Sequence, residues 1–386
     1  MTSRGTAHER ESGTGNSDAA TAPMPAFDVT RSWHPCGRFV KLESLGGRVH
    51  VVSVPGPAPD APHVLFLHGI LQSSWTWRAN LEALASQMHV HAVCLPGFGW
   101  SDKPETSYRL VHQAERMLEL LDVLQVPRAH VVGNSLGGAL SLQLAVVAPQ
   151  RVGRILLVNP AGAGLYPMAL LAAMQHQAAA PLLHLPGVGM ALALGLRHGA
   201  YARMAVDRPF VHSFLQPLKS AGAGRAALKV ARYFNRDMAA LDRRLPDVAS
   251  KVLLMWGKGD RVVPLAAVRR LARRLPDARV ELYDCSGHCP MEEEPGRFNR
   301  EALAFLTAQG PAKGPSQDDG RPVGTGTGAG AGTGTGAGTG TGTGAGTGAG
   351  AGTGAGAGTG AGTGAGAGTG TGSLPDMSPW KTPHGH

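Results

Sequence analysis

The chain has 386 residues, with 36 lysines and arginines against 27 aspartates and glutamates, a formal charge of +9 with histidines neutral. Every even position from Gly324 to Gly372 is glycine, so about half of the 55 glycines sit in one tract and the rest of the chain has an ordinary globular composition. A glycine period of two excludes collagen, whose period is three, and four cysteines in this length exclude a disulfide scaffold and fit a reducing compartment.

Residues 1–27 lack an apolar core of signal-peptide length, and no uncharged apolar run is long enough to span a bilayer. A cytoplasmic protein without membrane contact is expected. The net charge raises the question of nucleic acid. The densest basic cluster is Arg269, Arg270, Arg273 and Arg274, spaced i, i+4 in a helical stretch that also carries Val268, Leu271 and Leu275. That pattern reads as one solvated face of an amphipathic helix. No aromatic residues interleave as a stacking platform needs, so no nucleic-acid partner is expected.

In chain order, residues 1–37 read as a disordered segment rich in Ser, Thr, Gly and Ala. Phe39–Glu43 and Arg48–Val54 read as a hairpin joined around Gly46-Gly47. Short apolar runs then alternate with helical patterns. The runs are His63–His68, Val90–Leu95, His130–Val132, Arg154–Asn159, Lys251–Trp256 and Arg279–Tyr283. Helical spacing occupies 75–87, 106–125, 136–148, 265–275 and 296–308. Runs apolar on both faces suit strands buried under helices, and the alternation implies an α/β fold with a mostly parallel sheet covered on both sides.

Residues 163–248 break the alternation. They hold no convincing strand, and Pro167, Pro181, Pro186, Pro209 and Pro217 are expected to cut them into short helices. A helical cap inserted after the sixth strand would lie over the carboxyl edge of the sheet, where such folds bind ligands. The expected organisation is therefore a core of 38–162 and 249–309, a cap of 163–248, and a low-complexity tail of 310–386. The tail's Gly-Thr/Gly-Ala repeat carries no large side chain to offset the entropy of ordering glycine, and it is given no part in the chemistry.

The informative string is His130-Val131-Val132-Gly133-Asn134-Ser135-Leu136-Gly137-Gly138, read as strand, Gly-x-Ser-x-Gly, helix. A serine on such a sharp turn needs flanking glycines and presents its hydroxyl beyond the sheet. The Leu136 amide stands at a helix N-terminus, where negative charge is favoured. A serine needs a base, and His288 lies on the loop after the last strand. Asp260 directly follows the strand Lys251–Trp256 and is the favoured carboxylate. It is also a good cap for the turn before Val263-Pro264. Asp284 competes from four residues before His288, and Asp237 and Asp242 in the cap are weaker candidates. His68-Gly69-Ile70 after the first parallel strand leaves the Ile70 amide free as a second oxyanion donor beside that of Leu136. His68 itself reads as structural. Cys285 and Cys289 flank His288, but a zinc site needs more ligands than this segment offers, so no metal is expected.

His68-Gly69, the run Leu95-Pro96-Gly97-Phe98-Gly99-Trp100-Ser101, the elbow Gly133–Gly138, and Asp260 with Gly287-His288 together resemble the α/β-hydrolase superfamily from Phe39 to Gln309. The elbow sequence with a helical cap is similar to carboxylesterases and to hydrolases that split carbon–carbon bonds of meta-cleavage products. The resemblance implies Ser135 as nucleophile, His288 as base and Asp260 as acid, with Ile70 and Leu136 as oxyanion donors. Meta-cleavage hydrolases tend to carry tryptophan after the catalytic histidine, where this chain has Cys289. The expected activity is hydrolysis of a small hydrophobic ester or related acyl substrate through an acyl-enzyme, without a cofactor. Leu170, Leu171, Met174, Leu182 and Met190 of the cap are candidates for its apolar wall. Carbon–carbon hydrolysis, acyl transfer or perhydrolysis on the same residues, or a non-catalytic binding protein, are the alternatives.

Overall fold

The computed structural model describes residues 31–162, 195, 198–202 and 220–308. The tail from 310 onward and the five candidate wall residues between 170 and 190 lie outside the described residues, as does most of the expected cap. Eight strands form one sheet in the order β1-β2-β4-β3-β5-β6-β7-β8. β1 (Gly37–Leu42) and β2 (Gly47–Val54) make the expected antiparallel hairpin, turned at Gly46 with φ of 64°. β2 is also antiparallel to β4 (His89–Val93). Every remaining pairing is parallel, through β3 (His63–Leu67), β5 (Ala129–Asn134), β6 (Val152–Val158), β7 (Val252–Gly257) and β8 (Ala278–Tyr283).

Burial explains the apolar runs. β7 is buried at all six positions, and β3 at all but its first. Seven α-helices are described along their whole length: α1 (Leu81–Ala85), α2 (Leu110–Val123), α3 (Leu136–Val147), α4 (Ala223–Arg244), α5 (Ala266–Arg274), α6 (Pro290–Glu293) and α7 (Pro295–Thr307). α2 buries Leu110, Gln113, Ala114, Met117, Leu120 and Leu121, the spacing of one helical face. α3 is buried over most of its length, as a helix wedged against the centre of the sheet must be.

Four expectations need correction. The helix over 75–87 is broken into a 3-10 turn, Ser74–Trp77, and the short α1. The break falls at Asn80, whose backbone amide closes the 3-10 turn on the Trp77 carbonyl (2.8 Å) while its side-chain Nδ2 donates to Met291 O (3.1 Å) and Asn299 Oδ1 (2.8 Å). The C-terminal part of the 163–248 stretch is one 22-residue helix, α4, rather than short pieces. No proline interrupts the chain between Pro217 and Pro246, and Ala226, Ala227, Val230, Ala231, Phe234, Met238 and Leu241 give α4 a continuous buried face. The basic helix is not simply a solvated face. Arg270 Nη2 lies 3.3 Å from Asp242 Oδ2, and Arg274 Nη2 donates to the Asp242 carbonyl at 2.6 Å, so α5 is tied to α4. Finally, within the segment 1–37 expected to be disordered, residues 31–37 are packed. Trp33 Nε1 donates to Ser74 Oγ (2.9 Å), and Ser32 Oγ bonds His50 Nε2 (2.8 Å).

Asp237 has a role that its place in the cap region did not reveal. Its Oδ1 accepts from Arg109 Nε (2.9 Å) and Nη2 (2.6 Å), and its Oδ2 accepts from the Leu110 amide (2.9 Å). It thereby caps the N-terminus of α2 and pins α4 to it.

Burial also sets the acid response. His50, His68, His91 and His130 are each pushed down to about 4, in every case chiefly by burial. The unfolded chain protonates these imidazoles near 6.5, whereas the folded chain resists until about 4. Their contribution is complete above pH 6.5 and is lost as pH falls from there toward 4, each histidine adding a slope approaching about 1.4 kcal/mol per pH unit. Thermal melts between pH 7 and pH 4 are expected to fall steeply below about pH 6. A flat profile across that interval would contradict this reading.

Candidate active site

Ser135 follows β5 at the centre of the sheet, with φ of 53° and ψ of −115°. This is a costly conformation for a residue with a side chain, and its neighbours hold it there. The Ser135 amide donates to Val158 O (3.1 Å), and its carbonyl accepts from Gly138 (3.0 Å) and Ala161 (2.9 Å). The glycines are required by contact. A Cβ at Gly133 would strike the Gly137 carbonyl and Ser141 Oγ, one at Gly137 would strike the Leu67 carbonyl, and one at Gly138 would strike Pro160. Gly133→Ala is expected to cost about 3 kcal/mol by overpacking against backbone, which a thermal melt would read as a drop of roughly 6–12 °C.

The other candidate residues stand on loops after neighbouring parallel strands. Asp260 follows β7 and His288 follows β8. His288 Nδ1 is 2.7 Å from Asp260 Oδ2, and both side chains are buried. Asp260 is fixed on every side. Its Oδ1 accepts from the amides of Val262 (2.7 Å) and Val263 (3.0 Å), and its Oδ2 also accepts from Asn159 Nδ2 (2.6 Å). The turn-capping role and the pairing with histidine thus use different oxygens of one carboxylate. Asp284, the competitor, is on the surface in an ion pair with Lys258 (2.5 Å), which holds its carboxyl below the usual range. Asp237 and Asp242 bond Arg109 and Arg270.

Three residues that the sequence did not single out knit these loops together. Asn134 Nδ2 donates to the carbonyl of His288 (3.0 Å) and to that of Val158 (3.0 Å), joining the serine turn to the histidine loop. Asn159, directly after β6 with φ of 43°, accepts from the Gly257 amide (3.2 Å) while it holds Asp260. Gln72 accepts from the Gly69 amide (2.6 Å) and lies 3.6 Å from Cys289 Sγ. Asn134 was readable as the second residue of the elbow, but its partner is 154 residues away and nothing local announces it. Close backbone approach completes the assembly: a Cβ at Gly257 would collide with the carbonyls of Ser286 and Gly287.

The oxyanion candidates follow β3 and β5. Among the described residues, neither the Ile70 nor the Leu136 amide finds a hydrogen-bond acceptor. Gly69 lies against Ser135, since a Cβ there would stand 3.1 Å from the serine Cβ. His68 is neutral and structural. Burial pushes it down to about 4, Nδ1 donates to Gly69 O (2.7 Å), and Nε2 accepts from the Leu95 amide (2.9 Å). That second bond locks the loop after β4 to the loop after β3. Burial likewise pushes the Cys289 thiol well up, and among the described residues no group of three or more His, Cys, Asp or Glu is placed to hold a metal ion. Leu136, Leu140, Val230, Phe234 and Met238, with Gln113 and Asp237, line a gap of about 10 Å³ between α3 and α4, room for about one water. No helix among the described residues is long and apolar enough to cross a membrane.

Comparison with known proteins agrees with this architecture. An uncharacterized protein of Mycobacterium tuberculosis, Rv2715, is 32% identical over 268 residues, covering 66% of this chain and 78% of its own. The 2-hydroxy-6-oxo-6-phenylhexa-2,4-dienoate hydrolase of Comamonas testosteroni is 29% identical over 224 residues, covering 55% of this chain and 74% of that protein. Among solved structures, a hydrolase from Pseudomonas aeruginosa PA01 superposes with a TM-score of 0.61 at 27% identity, covering 71% of this chain and 99% of the other. The family model of the alpha/beta hydrolase fold matches residues 62–295, a span that holds the Ser135 turn, Asp260 and His288, and the chain belongs to that family.

Proposed function

We propose that the protein is a serine hydrolase that cleaves an ester or related acyl bond of a small hydrophobic substrate. The observation that carries this reading is the His288 Nδ1–Asp260 Oδ2 bond of 2.7 Å, at the sheet edge where Ser135 sits in a strained turn. Asp260 fixes the imidazole with its proton on Nδ1, which leaves Nε2 as the base. Ser135 Oγ attacks the substrate carbonyl and passes its proton to His288 Nε2. The amides of Ile70 and Leu136, without acceptors among the described residues, receive the oxyanion. His288 returns the proton to the leaving group, and the acyl chain remains on Ser135. A water activated by the same imidazole then releases the acid. Ser135 Oγ has no hydrogen-bond partner among the described residues. Such bonds are often loose in the free enzyme and tighten in the substrate complex.

The Leu, Met and Ala content of the expected cap sequence supports a hydrophobic acyl or alcohol group. A panel of p-nitrophenyl esters of rising chain length tests this: turnover is expected, with kcat/KM greater for the apolar acyl chains than for acetate. Absence of turnover on every ester would overturn the ester reading. The Comamonas relative favours a second reading, hydrolysis of a carbon–carbon bond in a dienoate. Loss of the dienoate chromophore, with no turnover of esters, would select it.

A further inference from the structure

The end of the sheet opposite Ser135 is also shaped. There the amino ends of β3, β5, β6 and β7 open into a groove of about 980 Å³, in the range of small-molecule sites. Its charged and titratable lining is Arg128, Arg154, Lys251, His63, His130 and Asp60. Three cations therefore face one carboxylate.

The two guanidiniums are held by groups that leave their charge uncompensated. Arg128 donates through Nε (3.4 Å) and Nη2 (3.3 Å) to the Val152 carbonyl. Arg154 donates through Nη2 to the Ala308 carbonyl (2.5 Å), and its guanidinium lies 5.5 Å from the centre of the Phe305 ring. Among the described residues, no carboxylate pairs with Arg128, Arg154 or Lys251, whereas Arg78, Arg109 and Arg151 elsewhere are all paired. His130 senses the resulting field. It is lowered first by burial and then by the charges of Arg154 and Arg128. Its Nδ1 accepts from the Arg154 amide (2.8 Å), so the neutral ring carries its proton on Nε2 and adds a donor. Gly153 keeps this seat open, because a Cβ there would collide with the His130 ring.

We propose that this groove binds a small linear polyphosphate, of the class of organic di- and triphosphates, at a site separate from Ser135. Guanidinium forks pair with phosphate oxygens two at a time, and held guanidiniums lose little freedom on binding. Three cations against one carboxylate argue for a ligand with more than one phosphoryl group. Arg128 precedes β5, Arg154 lies in β6 and Lys251 precedes β7, three strands that are neighbours in the sheet. Arg128 crosses to the Val152 carbonyl at the start of β6, so its guanidinium lies one strand over from β5, on the strand that carries Arg154.

Calorimetric titration of the full chain with sodium tripolyphosphate and, separately, orthophosphate at physiological salt tests the assignment. Saturable one-site binding of tripolyphosphate is expected, at least about tenfold tighter than orthophosphate. Arg128→Gln and Lys251→Gln are exposed changes and should each weaken it several-fold, with melting temperature and ester turnover unchanged. Arg269→Gln with Arg273→Gln removes twice the charge of either single change from the exposed side of α5 and should leave binding intact. Absence of saturable binding, equal loss in the α5 control, or binding confined to a long polymer such as single-stranded DNA would each overturn the proposal.

Discussion

Replacing Ser135 with alanine is expected to lower kcat for ester turnover by about a million-fold, the loss typical of removing a serine nucleophile. The melting temperature should stay within a few degrees of wild type. The argument for so clean a separation is local. Ser135 is held by backbone bonds to Val158, Gly138 and Ala161, all of which alanine retains. Its hydroxyl has no partner among the described residues, so its removal leaves no described polar atom orphaned. The strained φ of 53° is equally unfavourable for serine and alanine. Steady-state assay beside a thermal melt separates the outcomes. Retained turnover would remove Ser135 from the chemistry, and a collapsed melt would show that the hydroxyl carries stability instead.

Asp260→Asn is expected to reduce kcat by about ten-thousand-fold with KM little changed. Here the hydrogen-bond geometry dictates the failure. Oδ1 of Asp260 takes two backbone amides, from Val262 and Val263, so the amide oxygen of an asparagine must occupy that side. Its NH2 group is then forced toward His288 Nδ1, where it can only donate. The imidazole responds by moving its proton to Nε2, the atom that has to accept one from Ser135. The same NH2 also opposes the donating Nδ2 of Asn159, which adds a loss of stability. A kcat that falls less than tenfold would mean that the 2.7 Å bond is structural.

The parallel sheet was legible because β3 and β5 through β7 are nearly uniform apolar runs, and their observed ends fall within two residues of those expected. The serine turn was legible because its glycines are demanded by contacts within a few residues, Gly133 against Gly137 above all. What stayed hidden depends on distant partners. The Asn80 side chain, at the break in a helical pattern, bonds chain more than 200 residues further on, and Asn159 holds a carboxylate 101 residues away. α4 was hidden for a different reason. Five prolines punctuate 163–217 and mask the change that follows, a proline-free stretch whose apolar spacing is helical throughout. Asp237 and Asp242 looked idle for the same reason, since their cations lie on other helices.

The central claim is that Ser135 is a nucleophile activated by His288. Mass spectrometry after treatment with a fluorophosphonate addresses it most directly, because the reagent phosphonylates a serine so activated far faster than an ordinary one. The account requires one stable adduct on the peptide containing Ser135, formed by the wild-type protein and lost in His288→Ala. A wild-type protein left unlabelled, or labelled equally well without His288, would contradict it.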